Sequence, residues 1–151
     1  MKRGLVVIVV VTLFVSCATA AALVRDTPVI RSPADHQQIG EPGDPLCPPG
    51  EAPCFKIQVE GWVPRQRAAF FAVEPLQVSP RMWIQAPVRV SSDGSATGLV
   101  QLGERDNGAG QLFRIFLFAC ADPNRFHQGD EPRELPKDCE VSAPIQVLRV
   151  R

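Results

Sequence analysis

The chain of 151 residues has only two histidines, no tyrosine and no surplus of either charge, with 16 Lys and Arg against 16 Asp and Glu. Each shortage removes a class of function. Without a basic surplus, nucleic acid binding across the whole surface has no electrostatic source. His36 and His127 are the only imidazoles and neither stands beside a cysteine pair, so the sequence assembles no zinc-type ligand set. No Ser sits in a Gly-x-Ser-x-Gly setting, and no helical segment follows Gly98 or Gly103 to make their spacing a phosphate loop. The chain therefore reads as non-enzymatic and without a cofactor. Proline is missing from the first 27 residues; all fifteen lie from Pro28 onward, which argues against long helices there. What is present is 45% hydrophobic residues in repeated short runs, enough to fold one ordinary domain.

The first run is of a different kind. Met1, Lys2 and Arg3 begin the chain with a basic cluster, Leu5 to Val15 is apolar except for Thr12, and small residues fill positions 16 to 22. This is the layout of a signal sequence. Three fates are open: cleavage after Ala20 in Ala18-Thr19-Ala20, cleavage before Cys17, or retention. Phe14-Val15-Ser16-Cys17 resembles the bacterial lipobox, departing from it in having Phe14 where Leu is preferred, and the resemblance implies lipidation at Cys17. Retention is allowed because Leu5 to Val24 is uncharged and about long enough to cross a bilayer as a helix. In every case the basic flank stays cytoplasmic and the rest is delivered outside. The expected organisation is a signal peptide or anchor helix over 1–24, a linker over 25–27 and a domain over 28–151. Loss of residues 1–16 removes Lys2 and Arg3, leaving 14 basic against 16 acidic side chains.

Beyond Cys17 stand Cys47, Cys54, Cys120 and Cys139. An even number in an exported chain implies two disulfides, with three connectivities open. Short apolar segments separated by turn residues give an all-β pattern. The expected strands are 28–31, 55–63, 68–74, 82–85, 88–91, 96–102, 112–121 and 143–150. In 55–60 the alternation is complete, with Phe55, Ile57 and Val59 on one face and Lys56, Gln58 and Glu60 on the other. Asp93-Gly94 marks a hairpin turn, and the run 104–110 is a second connection. Within it Asp106-Asn107-Gly108 is a fragment of a calcium loop without the remaining ligands, which leaves a turn.

Leu112 to Cys120 is apolar on both faces. Phe113, Ile115, Leu117 and Ala119 share one; Leu112, Phe116 and Phe118 share the other with Arg114. Either a loop or the N-terminal segment covers the second face of a central strand, or Phe116 and Phe118 form an exposed strip for a partner. Trp62 and Trp83 are candidate stacking platforms, and Arg65 and Arg67 beside Trp62 a candidate cationic patch for sugar or polyanion. Two long segments are acidic: 32–54 has four acids and no Lys or Arg, and 122–142 has six acids against three bases.

Pro28-Val29-Ile30-Arg31-Ser32-Pro33-Ala34-Asp35, Val59-Glu60-Gly61, Trp83-Ile84-Gln85, Ser92-Asp93-Gly94 and Gly110-Gln111-Leu112-Phe113-Arg114-Ile115 together resemble bacterial extracytoplasmic immunoglobulin-like modules over about 28–150. The chain departs from the family in having no Tyr for its tyrosine corner and no mid-strand Cys pair. The resemblance implies a two-sheet antiparallel sandwich with no catalytic residue. In that topology Cys54 and Cys120 lie at opposite ends, too far apart for a disulfide, which implies Cys47 with Cys54 and Cys120 with Cys139. It also puts the start of the first strand at the end carrying the 122–142 loop. The expected function is a non-enzymatic cell-envelope binding or structural module, tethered as a lipoprotein and facing another envelope protein or glycan. The alternative is a secreted carbohydrate-binding or inhibitor domain.

Overall fold

The computed structural model describes residues 27–51, 54–64, 67–77 and 81–150. The leader, Cys17, Arg65 and the linker up to Asp26 lie outside the described residues. Among the described residues ten strands form: β1 (Val29–Ser32), β2 (Gln37–Ile39), β3 (Lys56–Trp62), β4 (Ala68–Pro75), β5 (Trp83–Ile84), β6 (Arg89–Val90), β7 (Ser95–Gln101), β8 (Leu112–Cys120), β9 (Cys139–Val141) and β10 (Ile145–Arg149). All eight expected strands are among them, within two residues at each end.

One sheet has the order β1-β3-β7-β6 and the other β2-β10-β8-β4-β5, with β9 also paired to β8. The sheets face one another across a shared core. Ile57 and Val59 from β3, Val100 from β7, Phe71 and Val73 from β4, and Phe113, Ile115 and Leu117 from β8 all bury themselves there. The alternation is realised over 57–60, with Ile57 and Val59 inside and Gln58 and Glu60 in water, whereas Phe55 and Lys56 are both half-buried and the Phe55 ring lies beneath cations rather than in the core. Gly61 lets β1 and β8 crowd β3: a methyl group there would meet Leu117 Cδ2 at 2.6 Å and the Val29 carbonyl oxygen at 2.8 Å. The β6–β7 hairpin turns at Asp93-Gly94. Ser91 N–H donates to the Ser95 carbonyl at 2.8 Å, and Gly94 takes the positive φ of 88° that closes a three-residue loop.

Two strands fall in segments expected to be loops, and one pairing departs from the expected antiparallel arrangement. Residues 33–36 carry the chain from one sheet to the other without reversing it, so β2 lies parallel to β10. The second sheet is therefore mixed. On the same side of β8 as β10, β9 runs in line with β10 across a break at Ser142–Pro144. Pro144 has no N–H to give, and the buried Ser142 mends the ladder: its Oγ accepts the Leu117 N–H at 3.0 Å and its own N–H donates to the Leu117 carbonyl at 2.9 Å.

The strand β8 is central, and its outer face is covered. Phe116 and Phe118 are 5% and 0% exposed. The loop 121–138 folds back over them, placing the Phe126 ring 5.9 Å from Phe118 and, edge-on, 5.4 Å from Phe70. This removes Phe116 and Phe118 from the role of an exposed partner strip: three rings and Met82 gain more by excluding water from one another than by facing it. The aromatic face stops at Arg114, which pairs across the strands with Glu74 at 3.0 Å.

The disulfides are Cys47–Cys54 and Cys120–Cys139, with Cα separations of 5.7 and 4.4 Å. Cys120 and Cys139 stand opposite one another in the β8–β9 ladder. Val29 at the start of β1 pairs with Trp62, and Cys120 at the end of β8 pairs with Ala68 at the start of β4. The chain thus enters at the Cys120–Cys139 end, while Cys47–Cys54, ahead of β3, lies at the other.

Candidate functional site

At the end of the sandwich away from Val29, the sheets part into an open cavity of about 530 Å³. Its floor is apolar. Val73 and Pro75 come from the end of β4, Phe113 from the start of β8, and Trp83 and Ile84 from β5. Gln77 holds the floor's outer end, its Oε1 accepting the Leu112 N–H at 2.9 Å where β4 has run out of residues to pair.

One wall is the loop 102–111, shaped by a buried cation. Arg149 ends β10 and is 1% exposed, with its guanidinium inserted under that loop. Nη1 donates to the carbonyl oxygens of Leu102 at 2.9 Å and Asn107 at 2.8 Å and to that of Glu104, while Nη2 donates to Arg105 at 2.9 Å. Among the described residues no carboxylate pairs with it. Carbonyl dipoles balance the charge, and the Phe55 ring centroid lies 5.9 Å away. Burial pushes the guanidinium below its ordinary pKa, with Asp106 pulling it back up; Arg stays charged throughout the accessible range. From the fragment Asp106-Asn107-Gly108 the Asn107 carbonyl thus does meet a cation, but that cation is Arg149. Gly108, at φ 109°, is held close: a Cβ there would lie 3.0 Å from Arg149 Nη1.

The opposite wall belongs to the loop 121–138. Gly129 N–H donates to the Ile84 carbonyl and Ile84 N–H to the Asp130 carbonyl, both at 2.9 Å, so this loop pairs with the edge of β5 and brings Gln128 to the rim. Inside the loop Arg125 Nε meets Asp138 Oδ2 at 2.6 Å, which holds the Asp138 carboxyl below the usual carboxylate range. The rest of the rim is carboxamide. Gln85 is fixed, its Oε1 accepting the Gln101 N–H at 2.8 Å and its Nε2 donating to the Trp83 carbonyl at 3.0 Å. Gln101, Asn107, Gln111 and Gln128 make no side-chain hydrogen bond among the described residues. Glu104 is the lining's one carboxylate, and the lining holds no Lys, Arg or His. An adjoining hollow of about 110 Å³ shares Gln85, Gln101 and Gln128 and adds Leu99 and Lys56.

Of the candidate partner residues Trp62, Trp83, Arg67, Phe116 and Phe118, Trp83 lines this site. Trp62 is at the other end, its Nε1–H donating to the Asp93 carbonyl at 2.9 Å beside the hairpin. Arg67 pairs with Glu140 of β9 at 3.3 Å and so does not stack on Trp62 as a free cation. His36 and His127 stand on the surface, with side chains 73% and 82% exposed. Sequence reasoning missed the carboxamides and Arg149. Each glutamine looks like a solvated strand-end residue by itself, and only the fold brings residues 85, 101, 111 and 128 together. The chain matches no protein-family model, no curated protein and no solved structure.

Proposed function

We propose that the chain is a non-enzymatic, extracytoplasmic binding module of immunoglobulin-like fold, tethered at its N-terminus and offering the cavity at its far end to another component of the cell envelope. The order β1-β3-β7-β6 against β2-β10-β8-β4 supports the immunoglobulin-like reading, since it follows the two-sheet arrangement of that fold with the first strand divided between the sheets. The two disulfides favour an oxidising compartment, and the leader ending near Cys17 favours lipoprotein export. The observation that carries the proposal is polarity. The chain enters beside Trp62 and Cys120, and the cavity opens beside Pro75 and Gln101, at the opposite end of the strands.

The test places a photoreactive residue at position 128, on the cavity rim, or at position 62, at the entry end, in the full chain with its own leader. Illumination of intact cells is expected to attach an envelope component through position 128 and none through position 62. Equal yields, or recovery of lipoprotein-processing machinery alone, would contradict it.

A further inference from the structure

The geometry points to an uncharged saccharide as the ligand of this cavity; the inference rests on the binding-module reading and names what the module binds. The lining itself argues for it. A phosphate, nucleotide or uronic acid would meet Glu104 and no cation in the lining of this cavity, while both Nη groups of Arg149 donate to carbonyls of the loop behind the wall and only its buried Nε is left without a partner. A purely apolar ligand would strip water from the carboxamides of Gln101, Asn107, Gln111 and Gln128 and return no hydrogen bond, which is costly.

The remaining class is uncharged, dense in both donors and acceptors, and apolar on one face. Each carboxamide offers an acceptor oxygen and two N–H donors, the pattern that a row of hydroxyls satisfies. The Trp83 indole and the Val73, Pro75 and Phe113 floor suit the C–H face of a pyranose ring, whose polarised hydrogens are drawn to an electron-rich aromatic face. The volume of about 530 Å³ falls within the range of small-molecule sites. The adjoining hollow, where Lys56 is the one cation of the lining, gives a second place for a linked ring beside Leu99 but stands outside the main cavity from which the charge argument is drawn.

An extended peptide is also uncharged and rich in donors and acceptors, but it binds best by adding a strand to an open sheet edge. The edge at this cavity is β5, and its Ile84 N–H and C=O are already taken by Asp130 and Gly129. The site therefore presents side-chain amides around an apolar floor rather than a vacant backbone ladder.

The experiment uses the purified mature chain carrying Trp62→Phe, which leaves Trp83 as its one tryptophan. The probes are cellotetraose, maltotetraose and chitotetraose, with tetragalacturonate as the charged arm and a capped Gly-Ser tetrapeptide as the peptide arm. At least one neutral saccharide is expected to change Trp83 emission saturably, with an affinity unmoved by salt. Gln111→Ala and Gln128→Ala are each expected to weaken it about tenfold without moving the thermal unfolding midpoint. Silence from all three neutral saccharides overturns the inference, as does preference for the uronate or the peptide, or unchanged affinity in both glutamine variants. If that happens while position 128 still crosslinks an envelope protein, the ligand class fails and the module reading survives. If position 128 captures nothing either, both fail.

Discussion

Arg149 Nη1 and the Asn107 carbonyl oxygen lie 2.8 Å apart, joining the last residue of β10 to the loop that walls the cavity. The contact explains why a connection with three glycines at positive φ, Gly103, Gly108 and Gly110, holds one shape. Four carbonyl oxygens converge on one guanidinium, whose planar fork satisfies several acceptors at once. Arg149→Met leaves those oxygens without their donors and is expected to cost about 3 kcal/mol in urea unfolding. Arg149→Lys is expected to fall in between, because an ammonium cannot span the set.

Reduction of Cys120–Cys139, or its replacement by a pair of alanines, is expected to cost about 3 kcal/mol by loop-closure entropy over 19 residues. The distinctive sign is optical. With the loop 121–138 released, Phe126 leaves Phe118, and the outer face of β8 should bind a hydrophobic dye such as ANS. Opening Cys47–Cys54, which closes a span of seven residues at the other end, should leave dye binding unchanged.

Gly61→Ala drives a methyl group into Leu117 and the Val29 carbonyl, in a place walled by three strands. The expected loss is about 1–3 kcal/mol, read as a lower urea midpoint with an unchanged slope. Gly43→Ala is a control of another kind: its Cβ meets no atom within 4 Å, although φ 85° still strains any side chain.

The Asp138 carboxyl is held below the ordinary range first of all by its hydrogen bond from Arg125. A depressed carboxylate pKa contributes stability that is complete above the unfolded value, near 3.9, and is lost as pH falls through the lower folded value. Carbon NMR should therefore find Asp138 titrating below an unperturbed aspartate in the native chain. In Arg125→Gln the midpoint should rise towards that of an unperturbed aspartate; an unchanged midpoint would remove Arg125 as the cause.

Much of the fold was legible because period-two burial leaves a direct trace in the sequence. Ile57 and Val59 alternate with Gln58 and Glu60, and Asp93-Gly94 can scarcely be anything but a turn. The strands β2 and β9 left no such trace. Ile39 is the one fully buried residue of β2, and β9 is half-buried throughout, so both exist because neighbouring strands offer open ladders. The two apolar faces of β8 were legible, but the loop that covers one of them could be recognised only once Phe126 was placed in space. The cavity was the least legible part. Trp83 stood out by residue type, whereas the glutamines converge from four separate segments by topology alone.

The central claim, that this is an exported sandwich braced by two disulfides and tethered by its first residues, is tested most directly by the intact mass of the protein recovered from its own envelope, before and after reduction. The account expects a chain beginning at a lipidated Cys17, whose mass rises on reduction by the four hydrogens of two opened disulfides. A chain still beginning at Met1 with all its thiols free would contradict it.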